Sequence, residues 1–218
     1  MAGGTRRERE RLVREGEITQ AAVRVFGLKG FDDASMDEIA LEAQFTKRTL
    51  YLYFADKEEL FFAAALSGFK ALFAELQSAA DGAPTGFEKL QKGSRGYYRF
   101  ARECPGSMRL IGEIGQVKKR AKADSERLRE LMRFDDEMFR WVAGTIAEGK
   151  ADGSIRENLD ALKATFSIIF MMTGFFNQLA LTGETFLKHV ALDMEDFCGY
   201  SMDLLFDSLK RPGGDRGN

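Results

Sequence analysis

Only three prolines, Pro84, Pro105 and Pro212, interrupt the 218 residues of this chain. Proline costs a helix interior about 3 kcal/mol, so long stretches free of it and rich in Ala, Leu, Glu and Lys favour helix. Apolar residues recur at three- and four-residue spacing, and no run alternates with the period of two that marks a half-buried strand. The expectation is an all-α chain, long enough for one large domain or two modest ones.

The most informative stretch runs from Ser35 to Leu60. Ser35 is a natural N-cap and Glu38, three residues on, completes a capping box. Met36, Ile39, Ala40 and Ala43 then share one helical face. Gln44, Phe45 and Thr46 make a tight turn, with Phe45 as a plug between two short helices. Thr46 can cap the second of these, expected over Lys47 to Phe54. Leu50 and Phe54, four apart, point inward, which turns Lys47, Arg48, Tyr51 and Leu52 outward. Asp56 caps a further helix, with Glu59 at its capping-box position. A cationic, hydroxyl-bearing face on a short propped helix suits the major groove, where Arg or Lys donates to guanine O6 and N7 and hydroxyls hold phosphates. The same periodicity also fits a plain helical hairpin with a solvated face.

The residue combination around this stretch resembles the DNA-binding head of the TetR family of bacterial transcriptional regulators. The resemblance is carried by Ile18, Ala22, Phe26, Gly30 and Phe31, then Ile39, Ala40 and Ala43, and above all by the TLYxYFxxKEEL run from Thr49 to Leu60. It covers about residues 14–64, under a third of the chain. It implies a helix-turn-helix over about 35–54, with Lys47, Arg48 and Tyr51 facing bases. Thr46, Thr49, Tyr53 and Lys57 would hold phosphates, with Ser35 at the start of the preceding helix. Two positions depart from the family pattern. Gln44 stands where the turn usually has Gly, and a left-handed conformation there would cost a side chain roughly 1 kcal/mol. Arg48 replaces a residue that is often small.

Overall charge does not advertise nucleic acid. The chain is formally −2, and residues 1–60 carry ten Lys and Arg against twelve Asp and Glu. DNA affinity must then come from local placement of cations, on the recognition helix or in the arginine-rich start. There Arg6, Arg7, Arg9, Arg11 and Arg14 alternate with Glu8, Glu10 and Glu15. They read either as a frayed helix start laced with i, i+4 pairs or as arginines that reach phosphate or an adjacent minor groove. Residues 1–10 are expected to be a mobile arm, with the head over 11–64. The start has no apolar core segment and is not expected to be a secretory signal. Cys104 and Cys198 lack metal spacing and read as free thiols in a reducing compartment, which points to the cytoplasm.

Beyond the head, a helix that starts after Asp56 is expected to continue to about Ala80 and to connect head and body. DGAPTG at 81–86 is a loop, as is ADGSIREN at 151–158. Helices are expected over about 87–102, 107–120 and 124–149. Residues 164–183 contain no formal charge and could span a bilayer by length. Asn177, Gln178 and the lack of basic flanking clusters beyond Lys163 and Lys188 favour instead a soluble helix buried all round. The last helix, about 190–210, carries Leu192, Met194, Phe197, Tyr200, Leu204 and Phe206. Such a stripe suits a four-helix interface with a second copy. The polar RPGGDRGN at 211–218 is expected to be a disordered tail. Family resemblance implies nine or so helices, a ligand-binding and dimerisation domain over 65–210, and a homodimer through the last two long helices. It also implies a near-palindromic double-stranded operator.

Catalysis finds little support. His189 is the only histidine, with no nucleophile and orienter to match. Ser67 to Lys70 matches S-x-x-K without its partner motifs. Asp135, Asp136 and Glu137 diverge around a helix, so no metal or cofactor is expected. The Phe and Met of the body fill a core or line a chamber for a small apolar ligand. The chamber candidates are Tyr97, Phe100, Met108, Phe134, Met138, Trp141, Phe170, Met171 and Phe175, with Gln178 as polar anchor. The reading is a ligand-released repressor. The competitor is a helical protein-interaction module without a DNA role.

Overall fold

The structure, a computed structural model, describes residues 5–121 and 125–211. Among them it is all-α, with α1 (Arg6–Lys29), α2 (Met36–Glu42), α3 (Lys47–Leu50), α4 (Lys57–Ala80), α5 (Gly86–Glu103), α6 (Pro105–Arg120), α7 (Glu126–Ala151), α8 (Ala161–Gln178), a π-helical turn (Leu179–Gly183), α9 (Glu184–Val190) and α10 (Met194–Asp207). The chain divides into two compact units. One holds Met1–Ala71 and Cys104–Phe134, the other Leu72–Glu103 and Asp135–Asn218.

In the first unit α1 begins five residues earlier than expected. Thr5 caps it and forms a capping box with Glu8, and Arg6 pairs with Glu10 at 2.9 Å, so Arg6–Glu10 are helical instead of a loose arm. Residues 1–4 of that arm lie outside the described residues. The apolar stripe Ile18, Ala21, Ala22, Val25 and Phe26 is buried. Phe26 meets Phe31 and Phe61 at ring centroid distances of 6.0 and 5.4 Å, and Phe61 meets Phe31 at 5.3 Å. Three aromatics interlocked this way supply much of the core of a small helical head.

The head is larger than its sequence motif, because α6 packs along α1. Gly27 and Gly106 let the two backbones touch: a Cβ on Gly27 would stand 2.6 Å from the Gly106 Cα. Arg109 donates to the carbonyls of Leu28 and Lys29 at 2.8 and 3.1 Å, satisfying acceptors that the end of α1 leaves free. Glu113 accepts from the Phe31 N–H at 2.9 Å.

In the second unit the start of α5 is held by a distant loop. Gly86 N–H donates to Asp152 at 2.8 Å and Phe87 N–H to Ser154 at 3.2 Å; a hydrogen bond from the Ser154 side chain, followed by that from Gly86 N–H, holds the Asp152 carboxyl below its ordinary range. Ile155 pairs with Lys210 in an isolated bridge. The last helix, expected over about 190–210, starts later, at Met194, and the short α9 precedes it. Ala191 turns left-handed (φ 55°), and Asp193 then caps α10 by accepting from Glu195 and Asp196 N–H. Of the expected tail, 211–218, Arg211 donates its N–H to the Ser154 carbonyl at 3.3 Å, and 212–218 lie outside the described residues.

Helix α8 corrects an expectation. Ala161–Gly183 is long and apolar enough to cross a membrane, yet only 28% of its apolar window is buried. Ala164, Thr165, Ile168, Met172 and Phe176 form the buried stripe. Leu162, Phe166 and Phe170 form an exposed one, and Met171 is exposed outside it. A period of 3.6 sends these two sets to opposite sides, so the helix is buried on one side and not all round.

Candidate nucleic-acid interface

The helix-turn-helix is assembled by local hydrogen bonds that its sequence encodes. Ser35 Oγ accepts from Glu38 N–H at 3.3 Å and the Glu38 carboxylate accepts from Ser35 N–H at 2.9 Å, which starts α2. At its other end Phe45 N–H donates to the Ala40 carbonyl at 2.9 Å and Gln44 N–H to that of Leu41 at 3.1 Å. This paired arrangement is a Schellman motif, and it requires the residue at Gln44 to be left-handed. Gln44 has φ 58°, so a side chain sits where glycine is the usual choice. Thr46 then caps α3 by accepting from Thr49 N–H at 3.1 Å, and the two threonine hydroxyls lie 2.8 Å apart.

Helix α3 is shorter than expected, ending at Leu50, but turn bonds continue its curl. Tyr51 donates to Lys47, Leu52 to Thr49, and both Tyr53 and Phe54 to Leu50. Leu50 and Phe54 are 0% and 1% exposed and anchor the segment. Thr46, Lys47, Arg48, Tyr51 and Leu52 are exposed, with Thr49 half-exposed beside them. Tyr53 is half-buried, with the Arg11 guanidinium 5.9 Å above its ring. Lys57 lies over the Phe31 ring at 4.5 Å and donates to the Asp32 carbonyl at 3.3 Å. Ser35, half-exposed, is engaged in its capping box.

Pairing explains how a head with excess acid can still present cations. Glu42 is held by Arg24 at 2.6 Å, Glu38 by Lys29, Asp32 by Arg120 and Glu15 by Arg127. The Lys29 hydrogen bond, followed by those of Ser35, keeps the Glu38 carboxyl below its ordinary value. On the outward face Lys47 bonds Asp37 at 2.8 Å, which raises its amine above the usual lysine value. Arg48 forms no ion pair among the described residues. Along the start of α1, Arg7, Arg9, Arg11 and Arg14 likewise form none, so the expected lacing of i, i+4 pairs is limited there to Arg6 with Glu10.

The ligand candidates scatter. The second unit holds a cavity of about 60 Å³ lined by Tyr97, Met138 and Trp141 together with Leu76, Leu90, Gly93, Ser94, Val142, Ile168, Ile169, Met172, Thr173 and Phe206. Burial pushes the Tyr97 hydroxyl up to about 12, against a lowering hydrogen bond with Thr173. Phe100 is buried but does not line this space, and Met108 and Phe134 belong to the first unit. Phe170 and Met171 are 69% and 49% exposed, the former on the outer stripe of α8. Phe175 packs on Phe176 and Phe197, and Gln178 donates to the Thr182 hydroxyl at 2.9 Å. Leu76, Leu90, Val142 and Ile168 are legible in the sequence only as apolar helix positions, and Gly93 carries no signal at all. Their gathering around one space follows from how α4, α5, α7 and α8 pack.

Residues 18–64 match the model of the tetR family of bacterial regulatory proteins. Over 159 residues the chain is 29% identical to the transcriptional activator FasR of Mycolicibacterium smegmatis, covering 68% of this chain and 73% of that protein. Its fold is similar to that of the fatty acid degradation regulator FadR from Bacillus halodurans, with a TM-score of 0.68 at 18% identity over 89% of this chain and 99% of that one. The same holds for FadR of Bacillus subtilis, solved with stearoyl-CoA, with a TM-score of 0.66 at 20% identity over 89% and 98% of the two chains. The head motif and the matched family model agree: residues 18–64 form a DNA-binding head of the tetR family of bacterial regulators, and the chain as a whole shares the fold of regulators of that kind.

Proposed function

We propose that the protein is a homodimeric repressor that binds a near-palindromic operator and leaves it when an apolar ligand enters the second unit. The observation that carries this reading is the cavity beside Tyr97 and Trp141, whose lining is apolar apart from Ser94, Thr173 and the Tyr97 hydroxyl. At about 60 Å³ it is smaller than the roughly 150 Å³ space that holds a benzene ring. A longer apolar molecule would have to part the helices around it. Such a ligand favours an expanded arrangement over the present one, and that differential affinity is what shifts a conformational equilibrium. The B. subtilis relative bound to stearoyl-CoA supports an acyl chain as the class.

Dimerisation is supported by the exposed stripes of the last long helices: Leu162, Phe166 and Phe170 at four-residue spacing on α8, and Tyr200 and Leu204 on α10. A two-fold pair presents two α3 helices to major-groove faces about 34–36 Å apart. Lys47, Arg48 and Tyr51 face bases there, while Ser35, Thr46, Thr49, Tyr53 and Lys57 hold phosphates. The protein works in the cytoplasm, with both cysteines reduced. A second reading, activation, is favoured by the name of the mycobacterial relative.

Gel-shift titration on a duplex selected from the region upstream of the gene tests the scheme. Affinity should fall steeply with salt, and Lys47→Ala or Lys57→Ala should each flatten that slope by about one unit. Stearoyl-CoA should release the duplex. An affinity indifferent to acyl-CoA and to free fatty acid would refute the ligand assignment. In vitro transcription, read with and without ligand, separates repression from activation.

A further inference from the structure

One residue of the outward face is not explained by polar chemistry. Leu52 is 71% exposed, although it stands among Thr46, Lys47, Arg48 and Tyr51. The amide bonds of residues 51–54 keep the curl of α3 going through it. At about 100° per residue, Leu52 projects opposite the buried pair Leu50 and Phe54. It also follows Arg48 by four positions, so the two share one stripe. Arg48 is free to engage a base edge directly, whereas Lys47 must first leave Asp37.

We propose that Leu52 is a base-reading residue whose partner is the C5 methyl group of a thymine, one or two base pairs from a guanine read by Arg48. The thymine methyl is the apolar group that base edges present in the major groove, and guanine O6 and N7 match the guanidinium fork. Side chains four apart on a helix are about 5–6 Å from each other, against a base-pair rise of about 3.4 Å, which fixes the separation of the two bases. The cationic neighbours bring the duplex down onto this face, and the leucine converts that contact into a distinction between thymine and every other base. The inference rests on α3 being the groove-reading element.

Uracil interference tests it with the full-length protein. Duplexes selected from a randomised pool are copied with a mixture of thymine and uracil, which differ only by the methyl group. Bound and free fractions are then cleaved at uracil. The bound fraction should be depleted of uracil at one thymine per half-site, within two base pairs of an indispensable guanine, with binding about fourfold weaker per lost methyl. Leu52→Ala should bind the same duplex yet no longer distinguish thymine from uracil there, and Leu52→Met should retain the distinction. Uracil tolerated at every position would overturn the proposal, as would depletion that persists unchanged in Leu52→Ala. Selection of no sequence at all would overturn the groove-reading role of α3, and the proposal with it. Because Leu52 packs against little of the protein, its replacement leaves the fold intact.

Discussion

Replacing Gln44 by glycine should make the protein more stable, although it removes atoms. Gln44 has φ 58° because the Schellman motif that ends α2 demands it. A left-handed conformation costs an L-residue about 1–2 kcal/mol, through the approach of Cβ to the following carbonyl. Glycine escapes that cost but gains freedom in the unfolded chain, which offsets about 0.5–1 kcal/mol. The difference is a net gain of about 0.5–1 kcal/mol. The Gln44 side chain is exposed, so little packing is lost with it. For a cooperative unit of about 100 residues this should raise Tm by about 3–6 °C, and by about half that if the whole chain melts together. Urea melts should show a higher midpoint at unchanged slope. Gln44→Ala is the control, since it removes the amide and keeps Cβ; its stability should stay within a few tenths of a kcal/mol of the parent. If glycine and alanine behave alike, the strain argument fails. If glycine destabilises, the glutamine side chain holds the turn by a contact that the geometry above does not contain.

Ala191, φ 55°, repeats the arrangement, with Leu192 N–H donating to the Leu187 carbonyl at 3.0 Å, so Ala191→Gly should stabilise the second unit by a similar increment in the same melts. Gly27→Ala should do the reverse and lower stability by about 1–3 kcal/mol, because its Cβ meets the Gly106 backbone and no flexible side chain can yield. Burial raises the Tyr97 hydroxyl from 10.0 to about 12 and the Cys198 thiol from 9.0 to about 11. Both folded values lie above the unfolded ones, so the neutral forms favour folding. Urea melts should give constant stability between about pH 6 and 8.5 and a decline above the unfolded thiol value, less steep in Tyr97→Phe. Gly93→Leu, which fills the cavity, should abolish any acyl-CoA response in gel shifts while operator affinity stays within about twofold.

The parts of this molecule that could be read from its residues are those set by neighbours close in sequence. Ser35 with Glu38, Thr46 with Thr49, and Leu50 with Phe54 are relations of three or four positions. Each fixes its own geometry wherever it occurs, so the head follows from spacing. The strain at Gln44 was legible as a condition, since a tight turn after α2 needs positive φ whatever the residue. The role of Gly27 was not: as sequence it reads as a weakened helix end, and only the arrival of Gly106, far along the chain, makes it a contact point. The same holds for Arg109, whose hydrogen bonds to the end of α1 have no local signature.

The second unit fails differently. Its apolar residues satisfy helical periodicity on more than one side, and periodicity says that a stripe is apolar without saying what covers it. Phe170 and Met172 are two positions apart and equally apolar. One is 69% exposed and the other 6%, because α5 packs against one side of α8 while, among the described residues, the other side is largely uncovered, with Phe139 reaching only its Phe166. An uncovered apolar stripe is costly to a monomer in water, so the exposure that defeated the choice of ligand residues is itself the argument for a second copy. Phe170→Glu places a charge on that stripe without touching the cavity lining. It should convert the proposed dimer to a monomer in sedimentation and, by separating its two reading helices, weaken operator binding far more than loss of a half-site contact. A charged variant that still sediments as a dimer would move the interface elsewhere on the molecule.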